Sequence, residues 1–413
     1  MRLTFNKKSF RNRIFFLVAL AAGISCQAQM ITTFAGTGTS GYNGDDLAAT
    51  ATQLWSPAAI AMTGSGTVYV ADGLNNRIRV VTQTGKVSTI AGIDDPGYSG
   101  DGGPATDGQL NDPEGVAIDG QGNVYISDKY NHSVRKITPQ GTISTLAGNG
   151  EAGYSGDGGL ATASQLSGPT GLALDNAGNL YIADAGNNRI RKVTVDGKIM
   201  TIAGTGNGGF NGNAVPATAA QLNAPRSLVV DNAGNLYIAD VLNYQVRKVT
   251  PSGIISTIAG ADAPGYSGDD SAATAAKLNL PTGIALDKGG NMYIADQGNN
   301  CIRKIDTAGI ISTVTIINAD TAGKLNAPLC IVLDGGSNLY VTEQQNHRIR
   351  RITPAPSNKI VKNTTKTKAA GTEGKPYTPP PFSTPNSNYS PAPVRSTGYQ
   401  TLPTTPAPRR NKG

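Results

Sequence analysis

Short apolar runs alternate with turn-forming residues along most of this chain. In the stretch 169–204, four runs rich in Ile, Val, Thr and Tyr are separated by turns that contain Asn, Asp and Gly. Runs of this length, bounded by such residues, are typical of β-strands joined by tight turns. The stretch therefore predicts one four-stranded antiparallel meander.

The meander recurs at a nearly constant spacing. Its equivalent tyrosines follow one another every 56 residues, with a last step of 47; they are Tyr69, Tyr125, Tyr181, Tyr237, Tyr293 and Tyr340. A fixed period of this size predicts a repeat architecture. The first two runs of each copy are nearly apolar throughout, which indicates sheets buried on both faces, as in sheets stacked around an axis. Six copies therefore predict a six-bladed β-propeller.

The two ends of the repeat region complement each other. The last copy runs into proline-rich sequence without its fourth strand, whereas residues 31–36 match 255–260, the fourth strand of another copy. Pairing the two ends in one sheet hides two edges that would otherwise promote aggregation. We therefore predict an all-β, six-bladed propeller of four-stranded antiparallel blades over residues 29–353, closed by the N-terminal strand.

Three motifs of the copy at 169–204 resemble a known family. They are Pro-Thr-Gly-Leu-Ala-Leu-Asp at 169–175, Leu-Tyr-Ile-Ala-Asp at 180–184 and Asn-Asn-Arg-Ile-Arg-Lys-Val at 187–193. Together they resemble the NHL repeat, and the resemblance covers about residues 30–353. It implies a six-bladed propeller. It leaves function open, because such propellers bind proteins, glycans or RNA and some relatives are enzymes.

The N-terminal residues 1–28 are typical of a signal peptide. A basic run ends at Arg13, an eleven-residue apolar stretch follows at 14–24, and small residues lead to Ala28, our preferred cleavage site. This apolar stretch is too short to span a bilayer. Lipid attachment at Cys26 is the alternative. No later segment is long and apolar enough to cross a membrane, so we expect a secreted, periplasmic or envelope protein.

Residues 354–413 differ in composition from the repeats. They hold half of the 24 prolines, and nine Lys or Arg against one Glu. This composition predicts a disordered basic tail, acting as a spacer, a glycosylated stalk or an adhesive segment. Without the two basic ends, residues 29–353 carry 21 cations and 27 anions, a net charge of −6. We therefore expect no nucleic-acid partner for the propeller.

Two sets of charged residues recur once per copy, as a structural brace does. A catalytic acid or base is needed only once, whereas a buried arginine needs an anion in every blade. The aspartates are Asp72, Asp128, Asp184, Asp240 and Asp296, and the arginines are Arg79, Arg135, Arg191, Arg247, Arg303 and Arg350. Cys301 and Cys330 fall at unrelated repeat positions, and we expect two free thiols rather than a disulfide.

The connections between copies are long and carry a second motif. Gly-Tyr-Ser-Gly-Asp-Gly stands at 97–102 and 153–158, with variants at 41–45, 209–212 and 265–269. Loops of about twenty residues are often functional or form compact, self-packed units. We interpret the tyrosines as anchors on the ring. Calcium binding by the aspartates is the alternative, so we predict no cofactor but keep calcium as a possibility.

Positions at which the copies differ are the candidates for a site. The residue after the first proline of each copy should line one mouth of the central channel, and there the chain has Glu114, Thr170, Arg226 and Thr282. Exposed aromatic groups beside polar ones suit a sugar or a peptide. Including neighbouring turns and the sole tryptophan, the predicted ligand-binding residues are Trp55, Glu114, Lys129, Tyr130, Thr170, Arg226, Tyr244 and Thr282.

Catalytic motifs are weak in this chain. His132 and His347 occupy a turn position that asparagine fills in other copies, so we expect a turn role rather than metal ligation. We assign no catalytic residue and no metal ligand. The sequence predicts an exported, monomeric, non-catalytic binding or scaffolding module for a glycan, a peptide or an envelope protein, acting through the long-loop face. The alternative is a metal-dependent, lactonase-like hydrolase or lyase at the channel, using Glu114.

Overall fold

The structure, a computed structural model, describes residues 29–318 and 323–354. All of them belong to the unit Met1–Val361, whereas the second unit, Lys362–Gly413, lies outside the described residues. The predictions of a signal peptide at 1–28 and of a disordered tail after residue 354 also concern residues outside this description. Within the described ranges, no helix has the length and apolar character needed to cross a membrane.

The strands of the described residues form six sheets, and in each sheet four strands run from the channel to the rim. We number the blades 1 to 6 in the order of their innermost strands. The innermost strands are Pro57–Met62, Pro113–Ile118, Pro169–Leu174, Pro225–Val230, Pro281–Leu286 and Pro328–Leu333. The second strands are Val68–Asp72, Val124–Asp128, Leu180–Asp184, Leu236–Asp240, Met292–Asp296 and Leu339–Glu343.

The outer half of each blade continues the meander. The third strands are Arg77–Val81, Ser133–Ile137, Arg189–Val193, Gln245–Val249, Cys301–Ile305 and Arg348–Thr353. The fourth strands are Lys86–Ala91, Ile143–Ala147, Ile199–Ala203, Ile254–Ala259, Ile310–Thr313 and Gln29–Ala35. Each innermost strand starts with a proline, a position at which the missing N–H does not interrupt the ladder.

Short 3-10 turns punctuate the described blades. One set joins the second and third strands: Gly73–Asn75, Lys129–Asn131, Ala185–Asn187, Val241–Asn243 and Gln297–Asn299. Another set lies in the long connections: Ala49–Ala51, Ala105–Asp107, Ala161–Ala163, Ala217–Ala219 and Ala273–Ala275. Three of these connections also add a two-residue strand to an outer edge: Leu47–Ala48, Val215–Pro216 and Ser271–Ala272. These blades therefore have five strands rather than the predicted four.

The predicted closure of the ring is confirmed. Gln29–Ala35 pairs antiparallel with Arg348–Thr353, with Met30 opposite Thr353 and Thr33 opposite Arg350. The N-terminal strand is therefore the fourth strand of blade 6. Ile316–Asn318 adds a fifth strand, parallel to Gln29–Ala35, which the sequence pattern did not predict. Ring closure pairs edges that an open array would expose.

The recurring Asp and Arg residues form braces, as predicted. In blade 2, the fully buried Arg135 places Nη1 3.4 Å from Asp128 Oδ2 and Nη2 2.6 Å from Asp101 Oδ1. Asp101 belongs to the long connection, and Tyr98 of the same motif lies over Arg135, with Cζ 4.7 Å from the ring centre. The recurring loop motif thus neutralises and covers a buried arginine, which would be very costly without an anion.

Candidate functional site

Every predicted site residue lies in a segment near the same end of its blade. In an antiparallel meander, the starts of the first and third strands and the ends of the second and fourth lie on the same side. The 3-10 turns after the second strands therefore share a side with the long connections. We call it the long-loop face; its long connections are residues 36–56, 92–112, 148–168, 204–224 and 260–280.

The innermost strands of all six blades surround a central cavity of about 360 Å³. At its long-loop mouth, Glu114 of blade 2 and Arg226 of blade 4 form an ion pair, Nη2 to Oε2, that bridges two blades which are not adjacent. Lys129 Nζ lies 2.9 Å from Glu114 Oε1 and 3.2 Å from Asp112 Oδ2. Two cations and two carboxylates thus form one cluster, which we call the mouth cluster.

Burial and pairing set the protonation of the mouth cluster. Burial raises the pKa of Glu114, but the positive charges of Arg226 and Lys129 outweigh it, so this pKa is lowered overall. The pKa of Asp112 is raised by burial and by the charge of Glu114, against the attraction of Lys129. Burial works to lower the pKa of Lys129, yet the two carboxylates raise it overall. With all four groups ionised, the cluster is neutral.

Two of the predicted site residues lie inside the ring wall. The Oγ1 of Thr170 lies 3.3 Å from the carbonyl oxygen of Arg226, and the Oγ1 of Thr282 donates to the carbonyl of Pro328 at 3.2 Å. Both threonines are buried. Their hydroxyl groups therefore join neighbouring innermost strands, and the prediction that they contact a ligand stays a prediction.

Large apolar side chains are exposed next to the mouth cluster. Trp55 is 42% exposed, Leu74 46% and Tyr130 53%. The carbonyl of Trp55 accepts the N–H of Leu74 at 3.1 Å, which places these two residues side by side. The Lys129 Nζ lies 4.8 Å from the centre of the Tyr130 ring. The sequence analysis missed Leu74, which differs from the equivalent Gly186 and Gly298 but has the same residue type as Leu242 of blade 4.

Backbone and side-chain contacts link the turns that carry these residues across blades 1 and 2. Gly73, next to Leu74, faces Asp112 so closely that a Cβ on Gly73 would lie 2.8 Å from Asp112 Oδ1. Asp112 in turn contacts Lys129, which lies over Tyr130. We call this surface the blade 1–2 patch; it consists of Trp55, Leu74, Asp112, Glu114, Lys129 and Tyr130.

The fold does not require the exposed side chains of this patch. At the position of Trp55, the backbone N–H donates to the brace carboxylate in every blade, whatever the side chain is. The equivalents of Trp55 are Asn111, Ser167, Asn223, Asn279 and Asn326. The equivalents of Tyr130 are Leu74, Gly186, Leu242, Gly298 and Gln345. Only blade 1 therefore has large apolar groups at both positions, whereas blades 2 and 4 have one each, Tyr130 and Leu242.

The two histidines have the turn role that was predicted. His132 Nδ1 accepts the backbone N–H of Gly168 at 3.2 Å, and His347 Nδ1 accepts that of Ser56 at 3.2 Å. In other blades, the same bond to the following blade is made by the Oδ1 of Asn76, Asn188 and Asn300. Tyr244, a predicted site residue, is the half-buried occupant of this position in blade 4.

The described residues offer few side chains for metal binding or thiol chemistry. Cys301 and Cys330 are both free, as predicted. Over residues 29–318 and 323–354, no group of three or more His, Cys, Asp or Glu side chains is arranged to hold a metal ion. The loop carboxylate considered for calcium, exemplified by Asp101, pairs with Arg135.

Comparisons with known proteins support the repeat assignment. The family model of the teneurin NHL domain matches residues 93–155, 150–211 and 263–325. Teneurin-4 of Homo sapiens is 32% identical over 289 residues, which cover 58% of this chain and 10% of that protein. NHL repeat-containing protein 2 of Homo sapiens is 30% identical over 270 residues, covering 58% of this chain and 37% of that protein. The match thus spans well under two thirds of these relatives.

Solved structures share the fold. A protein of unknown function from Bacteroides thetaiotaomicron aligns with a TM-score of 0.57 at 21% identity, covering 79% of this chain and 76% of that one. An auxiliary nutrient binding protein from Bacteroides ovatus also aligns with a TM-score of 0.57, at 14% identity, covering 79% and 77%. The protein is thus a six-bladed β-propeller whose central channel has the mouth cluster at its long-loop end. The recurring motifs, the comparisons and the fold together support an NHL-repeat propeller.

Proposed function

We propose that this chain is an exported, non-catalytic binding module that holds a protein or carbohydrate ligand on its long-loop face. The proposal rests on one observation: Trp55, Leu74 and Tyr130 are exposed on neighbouring turns of blades 1 and 2. These turns meet at Asp112 and Lys129 of the mouth cluster. Clustered large apolar side chains on a surface mark interaction sites, and Trp, Tyr and Arg dominate binding energies at such sites. The fold alone would not support this conclusion, because propellers of one fold serve many functions.

The ion pairs of the mouth cluster favour a binding role over a catalytic one. Glu114, the carboxylate with the best position for chemistry at the channel, is only 6% exposed and is paired with Arg226 and Lys129. A general base needs a free carboxylate within reach of its substrate. A paired carboxylate instead supplies a fixed hydrogen-bonding surface. The N-terminal pattern at 1–28 supports export, and the tail after residue 354 would then act as a spacer.

Substitution by sister residues tests the binding role without disturbing the fold. The double variant Trp55→Asn, Tyr130→Gly carries residues that other blades use at the same positions. We expect it to lose retention of glycans or peptides on an immobilised panel while its melting temperature stays that of the parent. Leu242→Gly is the matched control in blade 4, because Leu242 is 38% exposed at the position equivalent to Tyr130. Retention that is equal in all three proteins would contradict the proposal.

The hydrolase or lyase alternative has a separate readout in the same preparation. Bound metal can be measured after purification, together with turnover of lactone and polysaccharide panels. Turnover that disappears on Glu114→Gln would replace the binding role with catalysis at the channel. Retention of ligand without turnover supports the binding module.

A further inference from the structure

We infer that the blade 1–2 patch binds a neutral oligosaccharide. This inference rests on the proposed binding function and specifies its ligand. The first argument is the charge of the site. Within the mouth cluster, both carboxylates contact Lys129, and Glu114 also contacts Arg226. Every charge is therefore compensated inside the protein, and no net charge is left to attract an ion.

The electrostatics of the patch opposes the binding of a charged ligand. Residues 29–353 carry a net charge of −6, so an acidic polymer is repelled by the field of the whole propeller. A cationic ligand would have to take Asp112 or Glu114 from its present partner. Removing one member of a buried pair leaves an uncompensated charge, which opposes binding of the cation. A neutral ligand meets neither obstacle.

The aromatic groups suit the apolar side of a sugar ring. A pyranose presents C–H groups on one side and hydroxyl groups around its edge, so it stacks on an aromatic ring and forms hydrogen bonds next to it. Trp55 and Tyr130 supply such rings, which lose little conformational entropy on binding. Lys129 and Asp112, beside Tyr130, can donate to and accept from sugar hydroxyl groups. Their mutual ion pair already orders them, which lowers the cost of binding.

Peptides use features that the patch does not offer. An extended peptide commonly adds a strand to a free sheet edge. The patch is built on the 3-10 turns Gly73–Asn75 and Lys129–Asn131, whose exposed residues already use their N–H groups: Leu74 donates to Trp55 O and Tyr130 donates to Asn111 O. The surface therefore presents side chains rather than backbone, as sugar recognition requires.

The test uses the whole chain and isothermal titration calorimetry. The neutral probes are hexasaccharides of cellulose, laminarin, xylan and mannan, and the charged probes are hexagalacturonate and a Lys-rich hexapeptide. We expect at least one neutral probe to bind, with an affinity that changes by less than about twofold between roughly 50 and 500 mM NaCl. Trp55→Ala and Tyr130→Ala should each weaken binding by about tenfold or more, whereas Leu242→Ala should leave it unchanged.

The outcomes separate this inference from the function on which it rests. Binding of a charged probe alone, weakened by salt and by Trp55→Ala, would overturn the neutral-sugar inference and leave the binding module intact. Binding of neutral sugars that Trp55→Ala and Tyr130→Ala do not weaken would overturn the assignment to this patch. Failure of the chain to bind any sugar or peptide probe would overturn both proposals.

Discussion

At the scale of single residues, the repeat works as a set of internal controls. Asn76, Asn188 and Asn300 use a carboxamide oxygen to accept an N–H of the following blade, and His132 and His347 use Nδ1 for the same bond. The chemistry required at this position is one acceptor in a left-handed turn. The equivalent residues in other blades therefore show that His132 and His347, which resemble catalytic residues in the sequence, have a structural role.

The presence of histidine instead of asparagine at this turn position predicts that the stability of the fold depends on pH. Burial lowers the pKa of His132 and of His347, so as pH falls both histidines stay neutral in the folded protein after they begin to protonate in the unfolded chain. Their contribution to the free energy of unfolding is therefore complete above the unfolded pKa of about 6.5 and is lost as pH falls below it. Protonation of Nδ1 also removes the acceptor, at a cost of about 1 kcal/mol for each bond.

The double variant His132→Asn, His347→Asn keeps both acceptors and removes the titration. We expect the free energy of unfolding of the parent to fall more between pH 7 and pH 5 than that of the variant, as measured by urea denaturation. All other titrating groups are common to both proteins, so the difference isolates the histidines. Parallel pH profiles would show that the two bonds do not depend on neutral imidazole.

At the scale of elements, neighbouring innermost strands set a limit on side-chain size. A Cβ on Gly171 would lie 2.0 Å from the carbonyl oxygen of Arg226, and one on Gly283 would lie 2.5 Å from that of Leu329. The equivalent residues in the other blades, Ala59, Gly115, Ser227 and Cys330, are also small. The close approach of these strands thus explains the cysteine at 330 as a small wall residue.

Enlarging this position should therefore destabilise the ring. We expect Gly171→Ala to lower the free energy of unfolding by about 1–3 kcal/mol, because the obstructing atom is backbone and the strands must move apart. Gly120→Ala is the matched control, since a Cβ there meets nothing within 4 Å. Equal denaturation midpoints for the two variants would mean that the strands are less closely packed than the structure has them.

At the scale of the whole molecule, the ring depends on the N-terminal strand. Ile31 is fully buried in the core between blades 5 and 6, although it stands more than 280 residues from the neighbours that cover it, such as Val341 and Ile352. Met30, the residue before it, is 39% exposed. The strand therefore contributes both backbone pairing and core packing to the blade that closes the ring.

Truncating the buried residue of this strand tests the closure. We expect Ile31→Ala to lower the free energy of unfolding by about 2–5 kcal/mol through the lost contacts and the cavity left behind. Met30→Ala, on the exposed side of the same strand, should change it by less than about 0.5 kcal/mol. Calorimetric melting of both variants provides the measurement, and a parent-like melting temperature for Ile31→Ala would contradict the closed ring.

Sequence alone determined the fold to the level of single strands. The turn residues and the fourth-strand motif are short local patterns, and the patterns recur every 56 residues, so blades, their number and their closure could be deduced without coordinates. The short edge strands were missed because two-residue pairings such as Leu47–Ala48 leave no periodic signal. Burial of Thr170 was missed because two of its carbonyl partners, those of Pro225 and Arg226, belong to the next blade.

The binding face was decided only by the tertiary structure. Glu114 and Arg226 are 112 residues apart, and their contact depends on how far the blades stand from one another across the channel. The exposure of Leu74 beside Trp55 depends likewise on how two turns pack against each other. Periodic patterns record which residues repeat within a blade, whereas the distances between blades arise from packing around the axis. For that reason the sequence could nominate residues of this site, and only the folded ring could bring them together.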